Sequence, residues 1–168
     1  HKIGVNTTST FVSVAIANTT TTGISTFVEF DESTIHGGEY GPYKQSQRKE
    51  IYLPYAEKLV RDGFAYYAFD TEEELDVMRN RMKEAGIPSP QYNSITRNNM
   101  QNSLVLPDSE VKKRINEGVP YVIRIKMPRN EEVKFYDLIR GWIVVNSNNI
   151  DDKVIFKSDG MPTYHLAN

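Results

Sequence analysis

Few residues of this 168-residue chain have the types and spacing that chemistry requires. The adjacent carboxylates of Asp151 and Asp152 could together hold a hard cation. Neighbouring side chains in a strand point to opposite faces, however, so a solvated turn is favoured for this pair. His165 could act as a general base. Because no carboxylate or nucleophile stands at a matching spacing, a histidine packed in a strand is favoured instead.

Cysteine chemistry and the common phosphate motifs are missing from the sequence. The chain has no Cys, which excludes disulfides, a thiolate nucleophile and Cys-bound zinc. Its His residues at positions 1, 36 and 165 show no metal-ligand spacing. Gly37-Gly38 lacks the Lys and Ser or Thr of a phosphate-binding loop, and no Gly-rich dinucleotide motif is present. These residues alone assign no reaction.

Charge and hydropathy restrict the possible partners. The chain has 20 Lys and Arg against 22 Asp and Glu, a formal net charge of -2, and the charges are evenly spread. Binding to nucleic acid would therefore depend on local patches and shape, because bulk phosphate contacts usually leave a basic surface. The apolar runs are far shorter than the roughly 20 residues of a membrane-spanning helix. We expect a soluble, cytoplasmic protein without a membrane partner.

The predicted secondary structure differs between the start of the chain and the rest. Residues 1–28 contain no acid and no Arg, and they include four consecutive Thr at 19–22. Thr and Val favour extended backbone, so we expect strands at 11–16 and 25–30. Charged residues and helical periodicity appear only after this segment.

The first predicted helix covers residues 46–63. Its apolar face is expected to contain Ile51, Tyr55 and Leu59, with Tyr52, Ala56 and Val60 alongside and charged residues on the opposite face. Pro54 removes one backbone hydrogen bond, so we expect a kink or a late start.

Two more helices are predicted from their end signals. A capping box at residues 71–74 and the stop at Gly86 indicate a helix from about 72 to 85. Asp108-Ser109-Glu110 can cap a short helix that Gly118 closes.

Strands follow the helices. Residues 64–69 are expected to form a strand or an extended link. Short apolar or alternating segments predict strands at 121–127, 133–139, 142–146 and 154–157. Helices combined with a mostly antiparallel group of strands give an α+β or α/β assembly.

Several phrases resemble the bacterial-type glutamyl-tRNA synthetases. GPYKQSQR at 41–48 is similar to the family's Gly-Pro-Tyr-Arg-Gln-Ser-Glu-Arg segment. PYVIRIK at 120–126 and DLIRG at 137–141 resemble its return sheet, and SDGMPTYHLAN at 158–168 is close to a family signature. The resemblance covers roughly residues 31–168.

The resemblance implies an α/β fold, part of a class I synthetase nucleotide-binding (Rossmann-like) domain interrupted by an α/β acceptor-binding insertion domain. Residues 1–65 would be a partial catalytic domain with an atypical Thr-rich start. Residues 66–161 would be the insertion that binds the tRNA acceptor stem, and residues 162–168 would return to the catalytic domain.

The implied function is that of a glutamate-tRNA ligase, which uses ATP with Mg²⁺ to activate L-glutamate and transfers it to the 3′ end of tRNA(Glu). The implied partners are the tRNA acceptor end, L-glutamate and ATP, and a monomer is expected. The resemblance places Tyr164 and Asn168 in the L-glutamate pocket, where a phenol and a carboxamide offer directional hydrogen bonds without added charge. Pro162 suits the first position of a helix that would put both side chains on one face.

Other family features are missing from this sequence. The His-Ile-Gly-His-type motif has only a faint echo at residues 1–7, and neither the Arg-Ile-Glu-Asp-Thr-Asp phrase nor the Lys-Met-Ser-Lys-Ser loop is present. We expect this chain alone to be an incomplete, inactive piece, with its catalytic and ATP-binding residues unassigned. Some relatives bind zinc through Cys in the insertion. Ala68 and Asp70 stand in that region, with Tyr92 near a possible ligand position, so no metal is implied.

Two other functions remain open at this point. One is a non-catalytic module that binds the tRNA acceptor end. The other is a small tRNA-modifying relative, similar to the glutamyl-queuosine synthetases, which share a Gln-Ser-Gln-Arg phrase like that at residues 45–48.

Overall fold

The computed structural model describes residues 32–167, and the strands predicted at 11–16 and 25–30 lie outside this range. The described residues contain four α-helices and five β-strands. The helices are α1 (Lys49–Arg61), α2 (Glu72–Glu84), α3 (Asp108–Asn116) and α4 (Tyr164–Ala167). The strands are β1 (Ala65–Ala68), β2 (Val122–Ile125), β3 (Glu132–Asp137), β4 (Gly141–Asn146) and β5 (Val154–Phe156). Each helix and strand predicted from the sequence pattern in this range is confirmed, with ends that differ by up to three residues.

Two separate antiparallel sheets form, rather than one group of strands. The first has the order β1-β2-β5, with Ala65 opposite Ile125 and Ala68 opposite Val122. The register between β2 and β5 shifts at Ile123 and Arg124. The second sheet is the hairpin β3-β4, which is paired from Glu132–Asn146 to Asp137–Gly141.

Helix α1 packs against the three-stranded sheet and supplies Ala56, which is fully buried, to the main core. The predicted apolar face was partly wrong, because Ile51 and Tyr55 are 39% and 62% exposed. The predicted residues Tyr52, Ala56, Leu59 and Val60 do pack in the core, together with Leu53. Their spacing of i, i+1, i+4, i+7 and i+8 is that of a helical stripe.

Pro54 lies inside α1, and the predicted late start is confirmed. A 3-10 turn at Gln45–Gln47 comes first, and the α-helix begins at Lys49. The amide that Pro54 lacks would have bonded to the carbonyl of Glu50, in the first turn of the helix. The helix ends as predicted at Asp62-Gly63, where Gly63 has a φ of 81°.

Helix α2 begins with the predicted capping box. The amide of Glu74 donates to Thr71 Oγ1 at 3.2 Å, and the amide of Thr71 donates to Glu74 Oε2 at 2.9 Å. Two of the amide donors near the helix start are thus satisfied. Gly86, with a φ of 79°, follows the helix end.

Helix α3 starts differently from the prediction. Its N-cap is Pro107, and no side chain caps it, so the proposed cap from residues 108–110 was wrong. Glu110 instead accepts a hydrogen bond from Arg114 Nε at 2.7 Å, one turn later. This bond lowers the pKa of Glu110. The acids of the first turn still interact favourably with the helix dipole.

None of the helices formed by residues 32–167 is long and apolar enough to cross a membrane.

Candidate functional site

The segment after β5 is a tightly organised turn. Asp159 Oδ1 accepts the amide of Met161 at 2.9 Å, and Lys157 Nζ donates to Asp159 Oδ2 at 2.8 Å. The Lys157 bond is the main reason why the pKa of Asp159 is lowered. Gly160 has a φ of 79°, and a Cβ at this position would collide with the side chain of Lys49 in α1. Asp159 and Gly160 are therefore both required by the geometry of this turn.

Helix α4 follows this turn and is fixed to β5. The amide of Thr163 donates to the Ile155 carbonyl at 2.8 Å, and Thr163 Oγ1 donates to the Val154 carbonyl at 2.8 Å. Pro162 pairs with Phe156 in an isolated β-bridge, two residues before the helix starts. The prediction of Pro162 as the first helical residue was therefore wrong, because that stretch continues the sheet.

Tyr164, the first residue of α4, is 72% exposed. Tyr164 is thus exposed on a helix rather than half-buried in a strand. Asn168 lies outside the described residues, so its predicted place on the same helix face stays a prediction. His165 is exposed and helical, and its ring lies 6.1 Å from that of Tyr164. The expectation that His165 packs in a strand was wrong.

Asp152 lies at the centre of a buried polar cluster and is fully buried. Its Oδ2 accepts hydrogen bonds from the Tyr66 hydroxyl at 2.6 Å and from Arg97 Nη1 at 3.0 Å. Its Oδ1 accepts the amide of Met127 at 3.1 Å. The solvated turn expected for this pair of acids was wrong for Asp152. Asp151 points elsewhere and pairs with Lys153 at 2.9 Å, so the expected divergence of the two side chains is confirmed.

Asp70 and Tyr92 form a second part of this cluster. The Tyr92 hydroxyl donates to Asp70 Oδ2 at 2.8 Å, and the amide of Gln101 donates to Asp70 Oδ1 at 2.7 Å. Burial raises the pKa of Asp70, and these two hydrogen bonds only partly offset it. Burial also raises the pKa of Tyr92 and of Tyr66, with a further contribution from the adjacent carboxylate in each case.

Arg124 of β2 connects the two parts and is 8% exposed. Its Nη1 donates to the Asp152 carbonyl at 2.9 Å, and its guanidinium carbon lies 4.0 Å from the centre of the Tyr92 ring. Its Nε is buried without a hydrogen-bond partner. Within residues 32–167, no group of three or more His, Cys, Asp or Glu side chains could hold a metal ion.

Sequence reasoning missed this cluster. Tyr66, Arg97, Arg124 and Asp152 are each about 30 positions apart, so no motif spacing relates them. Only the pairing of β1, β2 and β5 and the loop before Asn102 bring them together. The available signal was indirect. Tyr66 and Arg124 lie opposite each other in strands whose other residues are mainly apolar.

The hairpin β3-β4 exposes its apolar residues. Leu138 and Ile139 at its tip are 94% and 95% exposed, and Trp142 is 71% exposed. The rings of Tyr136 and Trp142 stack edge to face at 5.5 Å. At the turn, Asp137 Oδ1 accepts the amides of Ile139 and Arg140 at 2.8 and 2.7 Å, which lowers the pKa of Asp137.

Comparison with known proteins gives a consistent result. The chain is 59% identical over 141 residues to the glutamate-tRNA ligase of Cytophaga hutchinsonii and 57% identical over 141 residues to that of Amoebophilus asiaticus. These matches cover 84% of this chain but 27% and 28% of the relatives. The chain thus spans about a quarter of the length of these proteins.

Solved structures show the same similarity. The crystal structure of a glutamate tRNA ligase from Elizabethkingia meningosepticum, in complex with its amino acid, matches with a TM-score of 0.76 and 51% identity. The match covers 82% of this chain and 27% of that one. Residues 17–168 match the family described as tRNA synthetases class I (E and Q), catalytic domain. The predicted class I synthetase fold is confirmed, and the chain belongs to the class I tRNA synthetases for glutamate and glutamine.

Proposed function

We propose that this chain is catalytic-domain sequence of a glutamate-tRNA ligase, which activates L-glutamate with ATP and transfers it to the 3′ end of tRNA(Glu). The observation that carries the proposal is the match at 51% identity and a TM-score of 0.76 to a solved glutamate tRNA ligase. The curated relatives with this name reach 59% identity. A fold shared at this level of identity supports a shared substrate class more strongly than a fold alone would.

The L-glutamate pocket is proposed to include Tyr164 and Asn168. The exposed ring of Tyr164 supports this role, because α4 is held against β5 by two hydrogen bonds from Thr163. A rigid support with an exposed polar side chain suits a binding residue.

The acceptor end of the tRNA is proposed to bind the insertion at residues 66–161. The buried polar cluster supports a well-defined fold for this part, because it ties β1, β2 and the loop before Asn102 together. The chain has nearly balanced charge, so binding of tRNA by this chain should be weak and should fall with salt.

We further propose ATP with Mg²⁺ as co-substrate, no zinc, a monomeric state and a cytoplasmic location without a membrane partner. The arrangement at Asp70 and Tyr92 supports the absence of zinc. The two side chains hydrogen-bond to each other, and the second oxygen of Asp70 is bonded to an amide. Zinc sites normally need four ligands, and here a phenol and one carboxylate are already paired.

A domain exchange tests the proposed function. The matching segment of the Cytophaga hutchinsonii ligase would be replaced by residues 32–168 of this chain, and charging of tRNA(Glu) with glutamate would be measured. We expect kcat/KM within about tenfold of the parent, equivalent to 1.4 kcal/mol or less. A folded chimera that binds tRNA but does not form glutamyl adenylate would support a non-catalytic acceptor-binding module instead. The chain alone should not exchange pyrophosphate into ATP, because the phosphate-binding motifs are missing from its sequence.

A further inference from the structure

Helix α4 consists of the four residues Tyr164–Ala167, and a helix this short is not stable by itself. Two anchors outside and inside the helix hold it on the fold. Leu166 packs against the main core, and Thr163, the residue just before the helix, is bonded to β5. Tyr164 lies between these two anchors, so its place in the structure depends on both of them.

Thr163 uses its carbonyl and its hydroxyl for different purposes. The carbonyl accepts the amides of Leu166 and Ala167, both at 3.1 Å, and so begins the helix. A threonine in this place usually caps the helix with its hydroxyl, which accepts an amide of the first turn. The Thr163 hydroxyl instead donates to the carbonyls of Val154 and Ile155 in β5, at 2.8 and 3.3 Å. The hydroxyl therefore fixes the start of the helix to the sheet.

The ring of Tyr164 takes its position from the backbone that carries it. The side chain is 72% exposed, and the ring beside it at 6.1 Å belongs to His165, which is itself exposed. Little packing therefore fixes the ring directly. A small rotation of Thr163 relative to β5 is magnified at the phenol hydroxyl, the atom of Tyr164 that is furthest from the backbone.

We propose that Thr163 is a positioning residue of the glutamate pocket, whose hydroxyl bond to β5 sets where the Tyr164 hydroxyl meets the substrate. The inference rests on the proposed function and on the proposed role of Tyr164 in it. Groups that recognise a ligand by directional hydrogen bonds must lie within about 0.5 Å of the productive geometry. Loss of the Thr163 hydroxyl should therefore weaken glutamate binding, although no atom that touches glutamate is removed.

The glutamate kinetics of the chimeric ligase test this role. Thr163→Val keeps the branched shape of the side chain but removes the hydroxyl. It should raise the KM for glutamate about three- to tenfold, the range for one lost hydrogen bond, and leave the KM for ATP unchanged. Thr163→Ser keeps the hydroxyl and should restore the KM for glutamate to within about twofold of the parent chimera.

Thr96→Val is the matched control for the loss of a threonine hydroxyl. Thr96 is half-buried like Thr163, and its hydroxyl also donates to a backbone carbonyl, that of Gln91, at 3.0 Å. It belongs to the 3-10 turn Thr96–Asn99 and not to the start of α4. The change should lower the thermal stability by a similar amount and leave the KM for glutamate unchanged. An equal rise in this KM for both variants would overturn the proposal, since general loss of stability would then be the cause.

Combination with Tyr164→Phe shows whether Thr163 acts through Tyr164. If it does, Thr163→Val should raise the KM for glutamate by less than about twofold when the phenol hydroxyl is already absent, because the two effects are coupled. An undiminished rise in the double variant would overturn the proposal, because Thr163 would then act on glutamate by another route.

Thr163→Cys replaces Thr163→Val if the latter chimera does not fold. A thiol is only a weak donor, so the KM for glutamate should then rise above that of Thr163→Ser. An active chimera whose KM for glutamate is insensitive to these changes rejects only the positioning role. A folded chimera that does not charge tRNA(Glu) rejects the proposed ligase function, and this inference with it.

Discussion

The three-stranded sheet and the hairpin β3-β4 differ in what holds them together. Ile123 of the sheet is fully buried, and the sheet is backed by α1 on one side and by the cluster around Asp152. The hairpin has six paired positions, but Phe135 is 50% exposed and Trp142 is 71% exposed. The sheet is therefore fixed by its tertiary contacts, and the hairpin mainly by its own strand pairing and turn.

The two regions should therefore contribute very differently to the stability of the chain. Loss of one partner from the buried cluster of Asp152, Arg97 and Tyr66 should strongly destabilise the fold, because the remaining charge would be buried and unpaired. Exposed apolar residues contribute little to the stability of the chain that carries them. Substitutions in the two regions should therefore have clearly different effects on unfolding.

The largest effect is expected for Asp152→Ala. Removing this carboxylate leaves the buried Arg97 without its charged partner and the amide of Met127 without its acceptor. The free energy of unfolding should fall by about 3–5 kcal/mol, measured by urea denaturation. Asp151→Ala is the matched control, since its partner Lys153 is 53% exposed, and it should cost less than about 1 kcal/mol. Equal effects of the two changes would contradict the comparison.

Helix α4 combines features of both regions, because it is fixed to the sheet but exposes Tyr164. In the chimeric ligase, Tyr164→Phe and Asn168→Ala should each raise the KM for glutamate roughly 5- to 150-fold, equivalent to about 1–3 kcal/mol. The KM for ATP should change much less. His165→Ala, the exposed neighbour, is the control. Unchanged glutamate kinetics together with lower thermal stability would assign these residues a structural role.

Features that depend on local sequence could be predicted, whereas features that depend on contacts between distant residues could not. The capping box at Thr71 and the strand alternation in the hairpin are local patterns, so both were predicted correctly. The buried state of Asp152 depends on Arg97, 55 positions away, and no local pattern encodes such a contact. The exposed face of α1 was misjudged for a related reason. Several faces of this helix contain apolar residues, and only the position of the sheet decides which one is buried.

The proposed L-glutamate pocket could be predicted only through the resemblance to the family. Nothing in the type or spacing of Tyr164 and Asn168 indicates a ligand-binding role, and their proposed role rests on the phrase at 158–168.

A smaller and local effect is expected at the hairpin turn. The pKa of Asp137 is lowered by the amides of Arg140 and Ile139, so its ionised form stabilises the turn. This contribution is present above the ordinary carboxyl pKa and is lost as the pH falls through the lowered value. Hydrogen exchange at the two amides should therefore become less protected on acidification. Asp137→Ala should remove this pH dependence, while Asp137→Asn keeps an acceptor and should retain part of the protection. Protection that does not change with pH would exclude this role for the carboxylate.

The smallest effect on stability is expected at the hairpin tip. Leu138 and Ile139 are 94% and 95% exposed, so replacing both by Ser removes almost no buried apolar surface from this chain. The free energy of unfolding should change by less than about 0.5 kcal/mol, the usual range for exposed positions. As a matched control, Ile123→Ser in the sheet introduces a hydroxyl at a fully buried position and should cost several kcal/mol. Urea denaturation of the two variants at the same pH gives both values. A loss of more than about 1 kcal/mol at the tip would mean that these side chains are buried in solution, and the contrast between the two sheets would then fail.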